Sequence, residues 1–190
     1  VRAALVLAGG RARRLGGIDK ALVEIRGVTM LDRVLGAAAP HCDQLVVVGR
    51  PRETTVPGVR FTIEPLPGGG PVPAVAAGLD RVQEAEQVAV LAVDLPLLRD
   101  EHVRTLFVGL EGEGVAAVAA ADNWGRANPL LAAYRADALR AALDGTGAGD
   151  PAARMLPLAT VIVNLGEAGT LNVNEPEELE RARRLLRPAP

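Results

Sequence analysis

The feature that most constrains this chain is a set of short, unbroken apolar runs separated by helix-like stretches. Residues 3–8, 45–48 and 88–93 are apolar at every position. Such a strand must be covered on both faces, which a parallel sheet flanked by helices achieves. Residues 59–63, 115–120, 130–134 and 160–163 are further strand candidates, and 30–39, 74–82, 100–110, 136–143 and 176–186 carry helical patterns. This alternation predicts an α/β fold: a three-layer α/β/α sandwich around a mostly parallel, Rossmann-like sheet. No repeat and no long linker divides the chain, so residues 1–190 are read as one domain. The Gly/Pro-dense stretch 65–73 is read as a loop inside it.

Charge narrows the function classes. With 21 basic and 23 acidic residues the chain lacks the basic excess of a nucleic-acid binder. The run 3–8 is too short for a membrane span or a secretory signal, so no membrane partner is expected. One cysteine, Cys42, excludes an intramolecular disulfide framework and fits a reducing, cytoplasmic setting. Of the 21 basic residues, 20 are arginine; the single lysine is Lys20. A chain that uses Arg elsewhere asks whether position 20 needs a compact ammonium rather than a planar guanidinium.

In open α/β sheets ligands bind beyond the carboxyl ends of the strands. After the first run come Gly9-Gly10, then Arg11, Arg13, Arg14 and Lys20. Paired glycines let backbone N–H groups approach phosphate oxygens, and the basic residues supply convergent donors. The segment is neither a P-loop nor a dinucleotide fingerprint. Asp94 ends the most apolar run, where a carboxylate is costly unless paired or metal-bound, so it is read as a Mg²⁺ ligand rather than a helix cap. Asn172 and Asn174 flank Val173 and, if extended, face one way with Val173 in the core. Turn and cap roles for them stand equally open. The turn carrying Trp124 and Arg126 reads as an ordinary hairpin with a partly buried tryptophan, packing being the commoner use of that residue. His41, Cys42 and His102 lack metal-ligand spacing and are read as structural.

Leu7-Ala8-Gly9-Gly10 through Arg14-Leu15-Gly16 to Asp19-Lys20 resembles the L-A-G-G-x-x-x-R-M-G-x-x-D-K signature of the MobA-type molybdenum cofactor guanylyltransferases, within the MobA-like nucleotidyltransferase group. Gly70-Pro71-Val72-Pro73-Ala74 resembles that family's G-P-L-A-G, Asp94-Leu95-Pro96 its D-M-P, and Asn172-Val173-Asn174-Glu175-Pro176 its N-x-N-T-P. The resemblance implies transfer of GMP from MgGTP to the terminal phosphate of Mo-molybdopterin, with release of pyrophosphate. It implies catalytic roles for Arg14, Lys20 and Asp94. Leu7, Ala8, Gly9, Gly10, Lys20, Glu64, Pro65, Gly70 and Asp94 are the implied nucleotide contacts. Asp94 is the implied Mg²⁺ ligand, and Asn172, Asn174, Trp124 and Arg126 are candidates for the acceptor. Transient contacts with molybdopterin-supplying and cofactor-accepting proteins are expected.

The departures bear on the base. Where the family has an acid followed by aspartate, this chain has Glu64-Pro65. Val72-Pro73-Ala74 replaces Leu-Ala-Gly and is expected to stiffen the loop. Glu175 replaces the threonine cap and is expected to cap the last helix poorly. Three alternatives therefore stand beside GMP transfer to molybdopterin. They are CTP on the same acceptor, GTP on a phospholactate-like acceptor, and a non-catalytic nucleotide-binding protein that hands the cofactor over.

Overall fold

The computed structural model describes residues 1–9, 17–65, 68–122 and 124–186. In chain order the strands are β1 Arg2–Leu7, β2 Glu24–Ile25, β3 Val28–Thr29, β4 Gln44–Val48, β5 Val59–Thr62, β6 Gln87–Ala92, β7 Ala117–Ala121, β8 Ala127–Arg135 and β9 Thr160–Val163. The helices are α1 Met30–Ala38, α2 Pro71–Leu79, α3 Asp100–Gly109, α4 Ala136–Leu143, α5 Gly166–Thr170 and α6 Pro176–Leu185. Seven strands form one sheet in the order β5-β4-β1-β6-β8-β7-β9, and β2 pairs with β3 separately. Within the seven-stranded sheet, β8 alone runs against its neighbours. The mostly parallel sheet with flanking helices is the three-layer, Rossmann-like architecture expected from the sequence.

The unbroken apolar runs follow from burial on both faces. Along β1, Ala4 and Val6 point to the layer of α1 and α3, where they meet Leu31, Leu35, Leu106 and Phe107. Ala3 and Leu5 point to the layer of α2 and α4, against Val75, Leu79 and Leu139. Gly78 lets α2 lie close to the sheet: a Cβ there would stand 2.9 Å from Leu5 Cδ1 and 3.0 Å from Val48 Cγ2. A third, smaller core joins Ile25, Met30, Leu97, Val173 and Ala182. It docks α6 and the β2–β3 hairpin beside the end of β6.

The sequence pattern misplaces some elements. Helix α2 begins at Pro71 rather than 74. Its prolines occupy the first turn, where the backbone N–H groups have no intrahelical partner to lose, so Val72-Pro73-Ala74 is helix and not loop. The β2–β3 hairpin has two-residue strands and turns at Arg26 (φ 55°) and Gly27 (φ 73°), without an Asn-Gly or Asp-Gly signal. The five-residue α5 is too short to show a period. Residues 172–174 form no strand, although the Val173 N–H donates to Asp94 O at 2.8 Å. Among the described residues, no helix is long and apolar enough to cross a membrane.

Candidate active site

The strand order reverses at β1. Strands β4 and β5 add to one side, then α2 returns the chain to β6 on the other. Such a switch point leaves a crevice beyond the carboxyl ends of the strands. Here a cleft of about 1280 Å³ opens, with Leu7, Gly9, Lys20, Glu64, Gly70 and Asp94 on its wall.

Lys20 begins a 3-10 turn, Lys20–Leu22, whose N-cap Asp19 accepts from the Ala21 N–H at 3.2 Å. The Lys20 Nζ donates to Asn174 Oδ1 at 2.5 Å and to Asp94 Oδ2 at 3.3 Å. The Lys20 and Asp94 side chains are only 13% and 19% exposed. Burial pushes the Asp94 carboxyl above its ordinary pKa, and the Lys20 ammonium pulls it back only in part. An ammonium has three N–H donors, so two partners leave one for a phosphate.

Three chain segments meet at this cluster for local reasons. Asp94 follows β6, and the buried Leu95, Leu97 and Leu98 hold the turn down. Fully buried Val173 anchors the stretch that delivers Asn174. Glu178 Oε2 accepts from the N–H groups of Asn174 at 2.6 Å and Glu175 at 3.0 Å. The start of α6 is thus secured by Glu178, which corrects the expectation of a poor cap from Glu175 alone. Asn174, not Asn172, reaches Lys20; Asn172 Oδ1 is a buried acceptor with no hydrogen-bond partner among the described residues.

The remaining sequence candidates divide. Ala8 has both backbone groups engaged: its N–H donates to Val48 O at 2.9 Å, and its carbonyl accepts from Arg52 at 3.0 Å. That leaves Leu7 and Gly9, and not Ala8 or Pro65, on the cleft wall. The Glu64 side chain is buried, accepts from the Gly68 N–H at 3.3 Å, and faces Gly9, where a Cβ would stand 3.4 Å from Oε1. Gly70 caps α2 with φ at 97°, a conformation that favours glycine. Gly10 and Arg14, with Arg11 and Arg13, lie outside the described residues.

Trp124 overturns the packing expectation: it is 76% exposed, with the Arg126 guanidinium 4.9 Å from its ring centroid. His102 is structural, its Nδ1 accepting from the Arg99 N–H at the start of α3. Burial pushes the Cys42 thiol up to about 12, which keeps it protonated and unreactive.

Sequence reading missed Arg52. Its Nε donates to Asp19 Oδ2 at 2.7 Å, and its other nitrogens reach Arg50 O at 2.7 Å and Ala8 O at 3.0 Å. It ties the segment leading into Lys20 to the ends of β1 and β4. The signal was available, because Gly49-Arg50-Pro51-Arg52 follows the carboxyl end of a strand.

The donor set suits a hard cation. Among the described residues no group of three His, Cys, Asp or Glu side chains comes together. One carboxylate and amide oxygens suit Mg²⁺ in the mode where substrate phosphates and water complete the coordination.

The chain matches the MobA-like NTP transferase domain over residues 4–159. It is 30% identical to a probable molybdenum cofactor guanylyltransferase of Natronomonas pharaonis, over 97% of this chain and 98% of that protein. It is 38% identical to the molybdenum cofactor guanylyltransferase of Rhodopseudomonas palustris, over 69% of this chain and 65% of that one. Among solved structures, the molybdopterin-guanine dinucleotide biosynthesis protein A of Archaeoglobus fulgidus superimposes with a TM-score of 0.72 at 24% identity. It covers 96% of this chain and 97% of its own, a likeness of fold.

Proposed function

This chain belongs to the MobA-like NTP transferase family, and from that premise we propose that it transfers GMP from MgGTP to the phosphate of Mo-molybdopterin. The observation that carries this reading is the Lys20 ammonium held between Asp94 and Asn174 at the switch-point crevice. The full-length similarity to a probable molybdenum cofactor guanylyltransferase supports the choice of substrates. Residues 1–190 are read as one nucleotidyltransferase domain, a reading supported by the packing of α6 and Val173 beside the end of β6.

In this reading an acceptor phosphate oxygen attacks the α-phosphorus of GTP. The bond from that phosphorus to the α–β bridging oxygen breaks, and pyrophosphate leaves. The step needs no covalent intermediate on the protein, only alignment and stabilisation of charge. Asp94, with Asn174 or Asn172, would hold Mg²⁺, which when bound neutralises the triphosphate as a Lewis acid. Lys20 and Arg14 neutralise charge on the α-phosphate and the departing pyrophosphate. Leu7, Gly9, Gly10 and Gly70 let backbone approach the nucleotide. The buried Glu64 carboxylate offers paired acceptors to the N1–H and N2–H groups of guanine, doing what Pro65 cannot.

A thermal-shift panel of GTP, CTP, ATP and UTP with Mg²⁺ tests the base. The expected outcome is stabilisation by GTP above the others. Stabilisation by CTP and not GTP would move the chain to the cytidylyl alternative.

A further inference from the structure

The β7–β8 turn has no role in the reaction above. Its indole is exposed, yet the turn is built rather than loose. Asp122 Oδ1 accepts from the N–H groups of Trp124 at 2.9 Å and Arg126 at 2.8 Å. Asp122 Oδ2 accepts from Arg126 Nε at 2.9 Å. That fixes the guanidinium over one face of the indole, 4.9 Å from the ring centroid, and leaves the opposite face to solvent. A cation on one face of an indole leaves the other face available to stack on a flat ring.

Register places this turn at the reacting end of the sheet. Strands β6 and β8 pair with Leu91 opposite Leu131. Antiparallel pairing therefore sets the start of β8 toward the carboxyl end of β6, where Asp94 lies, with an irregularity in β8 between Asn128 and Ala132. Arg126 immediately precedes β8. Leu130, on the same strand, lines the cleft. The turn therefore stands at the same end of the sheet as the cleft, on the β8 side rather than the side of Gly9 and Glu64, where the nucleotide is proposed to lie.

We propose that the open face of Trp124, oriented by Asp122 and Arg126, is a stacking platform for the flat heterocycle of the acceptor. The proposal rests on the nucleotidyl-transfer reading and adds to it where the second substrate sits. Both a pterin-type acceptor and the guanine of GTP are flat heterocycles, and the experiment separates them. KM for GTP and for Mo-molybdopterin is measured for the unchanged chain, Trp124→Ala and Trp124→Phe, with the melting temperature of each. The expected result for Trp124→Ala is an acceptor KM raised roughly tenfold or more, as for loss of a stacked ring. The GTP KM stays within about twofold, and Trp124→Phe falls between. Emission from this sole tryptophan is expected to fall on adding 6-hydroxymethylpterin and not on adding GTP with Mg²⁺. An unchanged acceptor KM in Trp124→Ala, or no quenching by the pterin, overturns the platform while leaving GMP transfer intact. A raised GTP KM with an unchanged acceptor KM assigns the ring to guanine and overturns the acceptor assignment. No transfer by the unchanged chain overturns the underlying reading and the platform with it.

Discussion

Lys20 and Trp124 stand at the same end of the sheet and are built in opposite ways. Lys20 is pressed into the protein, held between two partners from distant parts of the chain and backed by a small core of its own. Trp124 is held by its own turn and faces water. A charge that must act on a bond being broken gains from a dry, fixed surrounding, where electrostatic interactions are strong. A ring that must receive and release a second substrate gains from access. Mutation should therefore affect rate at the first place and acceptor affinity at the second.

The largest effect is expected at the centre. Asp94→Asn should lower the rate of pyrophosphate release by about 10²–10³-fold, in line with removal of one preorganised electrostatic group. Its circular dichroism spectrum should be unchanged. Retained turnover would erase the contrast with the rim. Lys20→Arg should cost roughly tenfold or more in kcat, because a planar fork does not fit the space between Asp94 and Asn174 as a point charge does. Equal activity would make the single lysine an accident of composition.

Val173→Ala separates support from chemistry. It removes two buried methyl groups and should cost about 1–2.5 kcal/mol in denaturant unfolding. It should also lower kcat by loosening Asn174. A stability loss without a rate loss would show that the third core does not position the site. Glu64→Gln keeps one acceptor and exchanges the other for a donor. It should raise KM for GTP about tenfold and improve use of xanthosine triphosphate, whose O2 accepts where guanine donates. If both nucleotides are unaffected, Glu64 serves only its bond to Gly68.

The smallest effect concerns pH. Burial pushes His102 below its ordinary value of 6.5. A lowered histidine contributes stability above 6.5 that is lost as pH falls through the folded value, since Nδ1 must stay unprotonated to accept from Arg99. Melting temperature should thus decline below about pH 6.5 more steeply in the unchanged chain than in His102→Gln. Parallel curves would remove His102 from the account.

Much of this was legible in the residues because the physics was local. Unbroken apolar runs such as 88–93 announced strands covered on both faces. Asp94 stood out as a carboxylate where an apolar strand ends. The lysine count singled out Lys20. What the sequence hid depends on distance along the chain: 154 residues separate Lys20 from Asn174, and 33 separate Arg52 from Asp19. No period or spacing encodes such contacts. Glu178 shows the same limit at short range. The box it makes with Glu175 at the start of α6 depends on side-chain rotamers, which is why residue type at 175 alone suggested a poor cap.

The central claim is that the Lys20–Asp94–Asn174 centre performs nucleotidyl transfer. It is tested most directly by incubating the chain with GTP, Mg²⁺ and Mo-molybdopterin and measuring pyrophosphate alongside the mass of the product. The account predicts equimolar pyrophosphate and a guanine dinucleotide product, both abolished by omitting Mg²⁺ or the acceptor. No pyrophosphate in the complete mixture, with GTP still bound, would contradict it and leave a nucleotide-binding protein that hands the cofactor on.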